Sequence, residues 1–466
     1  MKLTVATNWD YNLIDELVKY PVSDLYGVAQ ESPVGGGRPS FLLTSISKKK
    51  IEKYIKEVHN KGMKFSYLLN APCMGNMEYN KEYHKLLIKY IQWISDIEVD
   101  SVIVTIPFLI QVIKKQFPEL KIRVSTIATV NSINRAKFYE MLGADEITPD
   151  VMINRDFKTL KNIQKATNCK IVLLLTDGCL YQCPFRLYHY NLLGHASQTN
   201  NEIGQNYIDT CILNCSIIKY SDPAEVLKAR WIRPEDLSHY MEIGIDHFKI
   251  AGRRMSTPWI LRAVKAFSSQ KYNGNLVDII QGFSMSFGGL EQKDPNLSLR
   301  KTIGEESKSK LYIDNTKLDG FIDFFKNQNC ISMCDQCDYC EKWANKAVRL
   351  DPEKSSNYLK SLKAYLDDII TSREFGLKTS ESKEEIKKGM NWNSKTEQLF
   401  NELINLTPSQ FRSMAKVAIS SVAEENARKR KSNEVMNQDM IKAFIEGTPG
   451  PFQDDMKKGL KKFNLI

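Results

Sequence analysis

Eight short β-rich runs separated by segments of helical period predict an α/β fold: a TIM-like (β/α)8 barrel with a Cys-rich extension and a small C-terminal helical domain. The runs are Leu3 to Thr7, Leu25 to Gln30, Lys64 to Leu69, Ser101 to Ile106, Ile122 to Thr126, Glu146 to Thr148, Ile171 to Leu175 and His247 to Ala251. Between them, Ile51, Tyr54, Ile55 and Val58 share one helical face ahead of Gly62, and SINRAKFYEMLG again closes on a glycine, Gly143. A doubly wound open sheet would show the same alternation, because counting strands does not establish closure. No GxGxxG follows the first run, which weighs against the dinucleotide-binding version of that sheet. The expected divisions are residues 1–290 for the barrel, 291–380 for the Cys-rich extension and helical linker, and 385–466 for the helical domain.

At 466 residues the chain is too long for one ordinary core. With 42% hydrophobic and 26% charged residues it has the composition of a soluble globular protein. Ten cysteines behind a strand-like start, MKLTVATNWD, point to a reducing, cytoplasmic setting and to metal rather than disulfides. No uncharged apolar run approaches about 18 residues, so no membrane span is expected. A net charge of +10 permits an RNA or other anionic partner without singling one out.

The cysteines carry the chemistry. The buried-strand run ending at Leu175 stops at Thr176-Asp177-Gly178, and Cys179 and Cys183 follow at once. Cys211 and Cys215 repeat the CxxxC spacing, which places both sulfurs of a pair on one side of a helical turn or tight loop. Four soft thiolates suit an iron–sulfur cluster or zinc. A second set, Cys330, Cys334, Cys337 and Cys340, can wrap one centre locally, again a cluster or zinc. Its first three members also spell the CxxxCxxC of radical-SAM enzymes, but they lie beyond the barrel and Cys340 can fill the open position. Cys73 and Cys169 read as buried apolar thiols.

Loops after the strands of a barrel hold its chemistry. The long connection from Asp177 to Asp246 contains Arg186, His189 and His195, and Arg253 and Arg254 follow the eighth run. His189 and Asp177 are the candidate catalytic groups, His189 for proton transfer; Asp177 has the alternative role of capping its turn. Arg186, Arg253 and Arg254 are candidate substrate-binding residues, since a guanidinium fork suits a carboxylate.

GCLYQCPFRLYHYN, the second CxxxC, ARWIRPEDLSHYMEIGIDHFKIAGR and STIATVNSINRAKFYEMLGADEIT together resemble the U32 family, historically called collagenase-like peptidases, over about residues 1 to 290. The resemblance implies a TIM-like barrel with a [4Fe-4S] cluster on four cysteines. It implies hydroxylation without molecular oxygen of RNA or a quinone ring, with prephenate as the small-molecule oxygen donor. It also implies a second U32 protein as partner, since some relatives work as pairs, while a cysteine centre outside the barrel suggests an electron donor. The cysteine spacing departs from better-known members in that the first two thiols are unusually close. The tail, with Trp392, Phe411, Arg412, Glu424 and Ala427, is similar to the small helical domain closing the B subunit of light-independent protochlorophyllide reductase. That similarity adds a tetrapyrrole-like acceptor to the list.

Two other functions stay open at this point. One is a non-catalytic binding or assembly protein with structural zinc or clusters. The other is the peptidase of the family's old name, against which stand four saturating thiolates and the lack of a GxSxG, HExxH or Cys–His signature.

Overall fold

The computed structural model describes residues 1–30, 32–199, 209–283, 311–328, 330–372, 390–406, 412–448, 453–463 and 465. Eight parallel strands close into a barrel: β1 (Lys2–Ala6), β2 (Val22–Gly27), β3 (Lys64–Leu69), β4 (Ser101–Val104), β5 (Lys121–Val124), β6 (Glu146–Ile147), β7 (Lys170–Leu174) and β8 (His247–Ile250). Pairing runs in chain order, and β1 returns to β8 through Leu3 opposite Phe248, which excludes the open sheet. All eight sequence runs became strands. The largest offset is in β2, which starts three residues early, at Val22, because it pairs there with Leu3. The helix Lys48–Asn60 buries Ile51, Tyr54, Ile55 and Val58, as its period requires, and Gly62 ends it at φ +74°.

The lower interior of the barrel is polar. Arg123 on β5 is ion-paired with Asp24 on β2 and, at 2.5 Å, with Glu146 on β6. It also donates to Ser66 on β3 at 2.6 Å, and Ser66 shares a 2.8 Å hydrogen bond with Ser101 on β4. Thr4 on β1 meets both Asp24 (2.9 Å) and His247 on β8 (2.8 Å). Burial pushes the Asp24 carboxyl up, but Arg123 and the His247 contact more than offset this and hold it well below the carboxylate range.

The described part of the Cys-rich extension shares the barrel's core through Phe321, Phe325, Ala344, Tyr358 and Leu362. Its strand Leu311–Ile313 pairs antiparallel with Val348–Leu350. Two arginines dock it. Arg233, fully buried, donates to Asn315 Oδ1 (2.8 Å), to the Leu318 carbonyl and to Asp319 (2.7 Å). The Arg155 guanidinium lies among Trp231, Phe321 and Phe325 and donates to the Leu227 and Trp231 carbonyls. The polar stretches expected as linkers, around residues 291–310 and 379–389, and Phe411 lie outside the described residues.

Two compact units result, Met1–Thr379 and Ser380–Ile466. The second has its own core of Phe400, Leu403, Ala423, Ala427, Met440 and Phe444, with Trp392 against Phe400 at 4.9 Å. Among the described residues no helix is long and apolar enough to cross a membrane.

Substituting Arg123 by Met should strand the Asp24 and Glu146 carboxylates inside the barrel. A buried pair broken from one side typically costs about 3–5 kcal/mol. Urea unfolding of the variant should show that loss, and an unchanged midpoint would refute the role given to this network.

Candidate functional site

The Thr176–Arg186 segment starts where β7 ends. Gly178 is required because a Cβ there would stand 2.4 Å from the Gln281 carbonyl, with which the Gly178 amide bonds at 2.9 Å. Asp177 accepts from the Cys179 amide (3.1 Å), so the candidate catalytic carboxylate caps the turn. Cys183 precedes the helix Arg186–His195, and Cys211 and Cys215 sit one turn apart on the helix Thr210–Ser221. The four thiols lie within electrostatic range of one another: Cys179 of Cys183 and Cys215, and Cys211 of Cys183 and Cys215. Burial, Asp177 and the other sulfurs push the Cys179 thiol well up, while Lys219 opposes this. Lys219 is 2% exposed, anchored to the Gly282 carbonyl at 2.6 Å and lying over the Phe283 ring. A thiol quartet facing a fixed buried cation fits an anionic metal–thiolate centre.

The predicted arginines differ in surroundings. Arg186 is ion-paired with buried Asp150. Arg254 feels Asp209 and Arg38, and burial lowers it to about 10. Arg253 is half-buried, and desolvation also lowers it to about 10; its buried Nη1 has no hydrogen-bond partner. Two more unpartnered buried atoms lie nearby, Asn70 Oδ1 after β3 and Gln281 Nε2. Gly36 faces both Asn70 Oδ1 and Arg253 Nη1, its Cβ position being 3.2 and 3.6 Å from them. Gln281 Nε2 is 3.4 Å from the Cβ position of Gly252, while its backbone bonds Gly178. Gln281 therefore joins the arginine loop to the cysteine loop.

Below this lies Lys249 on β8, its Nζ 4.0 Å from the Tyr26 ring centroid. Desolvation first, then Arg123 and Arg253, lower it to about 7.

Sequence reading missed Asn70, Lys249, Gln281 and the Gly35–Arg38 loop; the run of three glycines in VGGGR was the available signal. It also missed a Cys–His grouping, which the structure supplies. His189 Nε2 is 3.0 Å from Asp209 Oδ2, and with Cys211 their donor atoms all lie within 4.8 Å. Asp209 gave no signal because it is adjacent to the site only through the helix Thr210–Ser221, which it caps. Cys169 is buried and bonded to the Ala144 carbonyl, as expected of a core thiol. Cys73 is half-exposed rather than buried, since it sits in the loop after β3 and accepts from Gly75.

The second quartet lines a small cavity with Lys228, Arg230, Phe324, Phe325, Gln328 and Met333. Burial pushes the Cys340 thiol up to about 11 against the pull of Arg155 and Arg230.

The model of peptidase family U32 matches residues 41–175. An uncharacterized protease of Methanocaldococcus jannaschii, MJ1657, is 31% identical over 326 residues, covering 67% of this chain and 88% of that protein. The chain belongs to peptidase family U32. Among solved structures, the U32 peptidase Mk0906 is similar at 19% identity and a TM-score of 0.41, over 54% of this chain and 92% of that one. The family places the barrel, and its name alone does not assign the thiols.

Two outcomes are expected. If the barrel quartet is a metal site, Cys179→Ala or Cys215→Ala should lower the iron taken up on anaerobic reconstitution, while Cys169→Ala should not; equal iron in all three would refute a shared site. Lys249 gives a pH test. Its folded pKa is depressed to about 7, so above that value the unfolded chain holds the extra proton. Stability should therefore rise with pH from about 7 toward about 10, by up to about 1.4 kcal/mol per unit. Lys249→Met should flatten that rise in denaturant titrations.

Proposed function

We propose that the barrel quartet Cys179, Cys183, Cys211 and Cys215 holds a [4Fe-4S] cluster. We further propose that the protein is an oxygen-independent hydroxylase or related redox enzyme using a small carboxylate oxygen donor of the prephenate kind. The observation that carries this is the set of three desolvated, unpartnered polar atoms, on Arg253, Asn70 and Gln281, beside the cysteine loop. Buried polar atoms without partners cost roughly 1–3 kcal/mol each, more when charged, so a place that keeps three of them calls for a polar ligand.

The resemblance of the cysteine loops to the iron–sulfur members of the family favours a cluster over mononuclear zinc. A bound cluster would supply one-electron transfer beside the donor.

The chain's own residues then have definite tasks. Arg253 pairs with a donor carboxylate, and burial makes that pair strong. Asn70 Oδ1 accepts from a donor hydroxyl, and Gln281 Nε2 donates to an oxygen. Lys249, lowered to about 7, can give or take a proton near neutrality. The acceptor is an RNA, a quinone ring or a tetrapyrrole-like ring.

A peptidase reading draws on Cys211, His189 and Asp209 as nucleophile, base and orienting acid. It requires a thiol with a depressed pKa, whereas burial and Asp209 push Cys211 up to about 12.

A deletion strain grown without oxygen should lose a modification of about one oxygen atom in RNA or in a lipid-soluble metabolite, seen by mass spectrometry. Re-expressed Arg253→Lys should keep iron content and melting temperature but restore tenfold to a hundredfold less of it, the loss of about 1.5–3 kcal/mol for a charged pair. Full restoration with a lowered melting temperature would sink the substrate-binding role.

A further inference from the structure

We infer that Cys330, Cys334, Cys337 and Cys340 hold a second iron–sulfur cluster, wired to the barrel quartet through Arg230 and Tyr181 as an electron relay. This rests on the barrel-cluster reading above.

The geometry is direct. Tyr181 lies midway in the loop between Cys179 and Cys183. The Arg230 guanidinium stacks on its ring, with Cζ 3.8 Å from the centroid. The same guanidinium borders the cavity lined by Cys330, Cys334, Cys337 and Cys340. One stacked pair thus spans from a ligand loop of the first quartet to the wall of the second. The span is rigid: Asn154 Nδ2 donates both to the Arg230 carbonyl (2.9 Å) and to the Leu174 carbonyl at the end of β7 (2.8 Å).

Charge says what the cavity takes. Arg230 is 4% exposed, and its Nε and Nη1 are buried without hydrogen-bond partners. Arg155, likewise buried, acts on Cys340, and Lys228 acts on Cys334. Among the described residues neither Arg155 nor Arg230 is ion-paired with a carboxylate. Two desolvated guanidiniums beside four thiols call for a strong anion, which four thiolates around iron and sulfide provide. The same cations favour the more negative, reduced form of a cluster. Met333 at the cavity is 51% exposed, and the four cysteines are only half-buried, so a carrier can approach.

The electron count closes simply. A low-potential one-electron carrier protein is oxidised by one electron and the second cluster is reduced by one. That electron passes to the barrel cluster, returning the second cluster to its oxidised form; no bond is made or broken.

The full chain, reconstituted anaerobically with iron and sulfide, should hold about eight irons, and Cys334→Ser/Cys337→Ser about four. The reduced parent should give electron paramagnetic resonance signals broadened by coupling between two centres, and the double variant an uncoupled one. Reduced ferredoxin should reduce the barrel cluster at least about tenfold more slowly in the double variant, while dithionite reduces both proteins alike. Arg230→Met should keep both clusters and move the second one's potential to more negative values. Zinc in place of iron at the second quartet, or equal ferredoxin rates in parent and double variant, would overturn the relay and leave the barrel cluster standing. Iron missing from the barrel quartet of the parent would instead overturn the proposed function, and the relay with it.

Discussion

The ion pair of Arg123 with Asp24, closed inside the barrel, is the contact on which the rest of the structure depends. An isolated carboxylate there would be too costly to keep charged, and an isolated guanidinium equally so. Together they are tolerable only because Thr4, Ser66, Glu146 and His247 complete their hydrogen bonding from other strands. Ser101 joins through Ser66, so seven of the eight strands contribute to one network. A register slip of one residue in any of them would turn its polar side chain outward and leave a buried charge short of a partner. An apolar filling would bury as much surface but would tolerate such slips more readily.

The same network sets the electrostatics above it. Arg123 lies below Lys249 and helps to lower it, and Arg253 presses on it from the mouth. Cations thus accumulate up the axis while the anions Asp24 and Glu146 stay near the floor. Among the described residues no carboxylate pairs with Arg253, and Tyr26 is its main neighbour of opposite tendency. A mouth arranged this way is biased toward an anionic ligand before any particular ligand is considered.

Most of the fold was legible because barrel strands alternate with amphipathic helices, some of them ended by a glycine such as Gly62 or Gly143, and both periods survive in the sequence. β6 was legible despite its two described residues, Glu146 and Ile147, because Gly143 ends the helix before it. The cysteines were legible as a chemical type and by spacing. What could not be read was which distant loops meet. Asn70 stands about two hundred residues of chain from Arg253 and Gln281, and it meets them only through closure of β8 on β1. Lys249 lies on β8, and strand alternation alone does not say which face of a strand points inward. Arg233 could be quoted as part of RPEDL, but nothing in that block tells that its side chain grips Asn315 and Asp319.

That grip explains how an extension distant in sequence becomes part of the barrel's core. Arg233 fixes residues 315–319, and Arg155 fixes Phe321 and Phe325 on the same flank. Arg155 follows β6, and Arg233 adjoins Ile232, whose amide bonds the Leu175 carbonyl just past β7 at 3.0 Å, so the extension is held at the end of the barrel that carries Cys179 and Cys183. An extension tethered only by a flexible linker would sample many distances, and electron transfer falls steeply with distance. Two buried arginine clamps and a shared apolar core remove that freedom. The second quartet is therefore placed by barrel residues as much as by its own local wrap, and the Tyr181–Arg230 stack lies where those constraints meet.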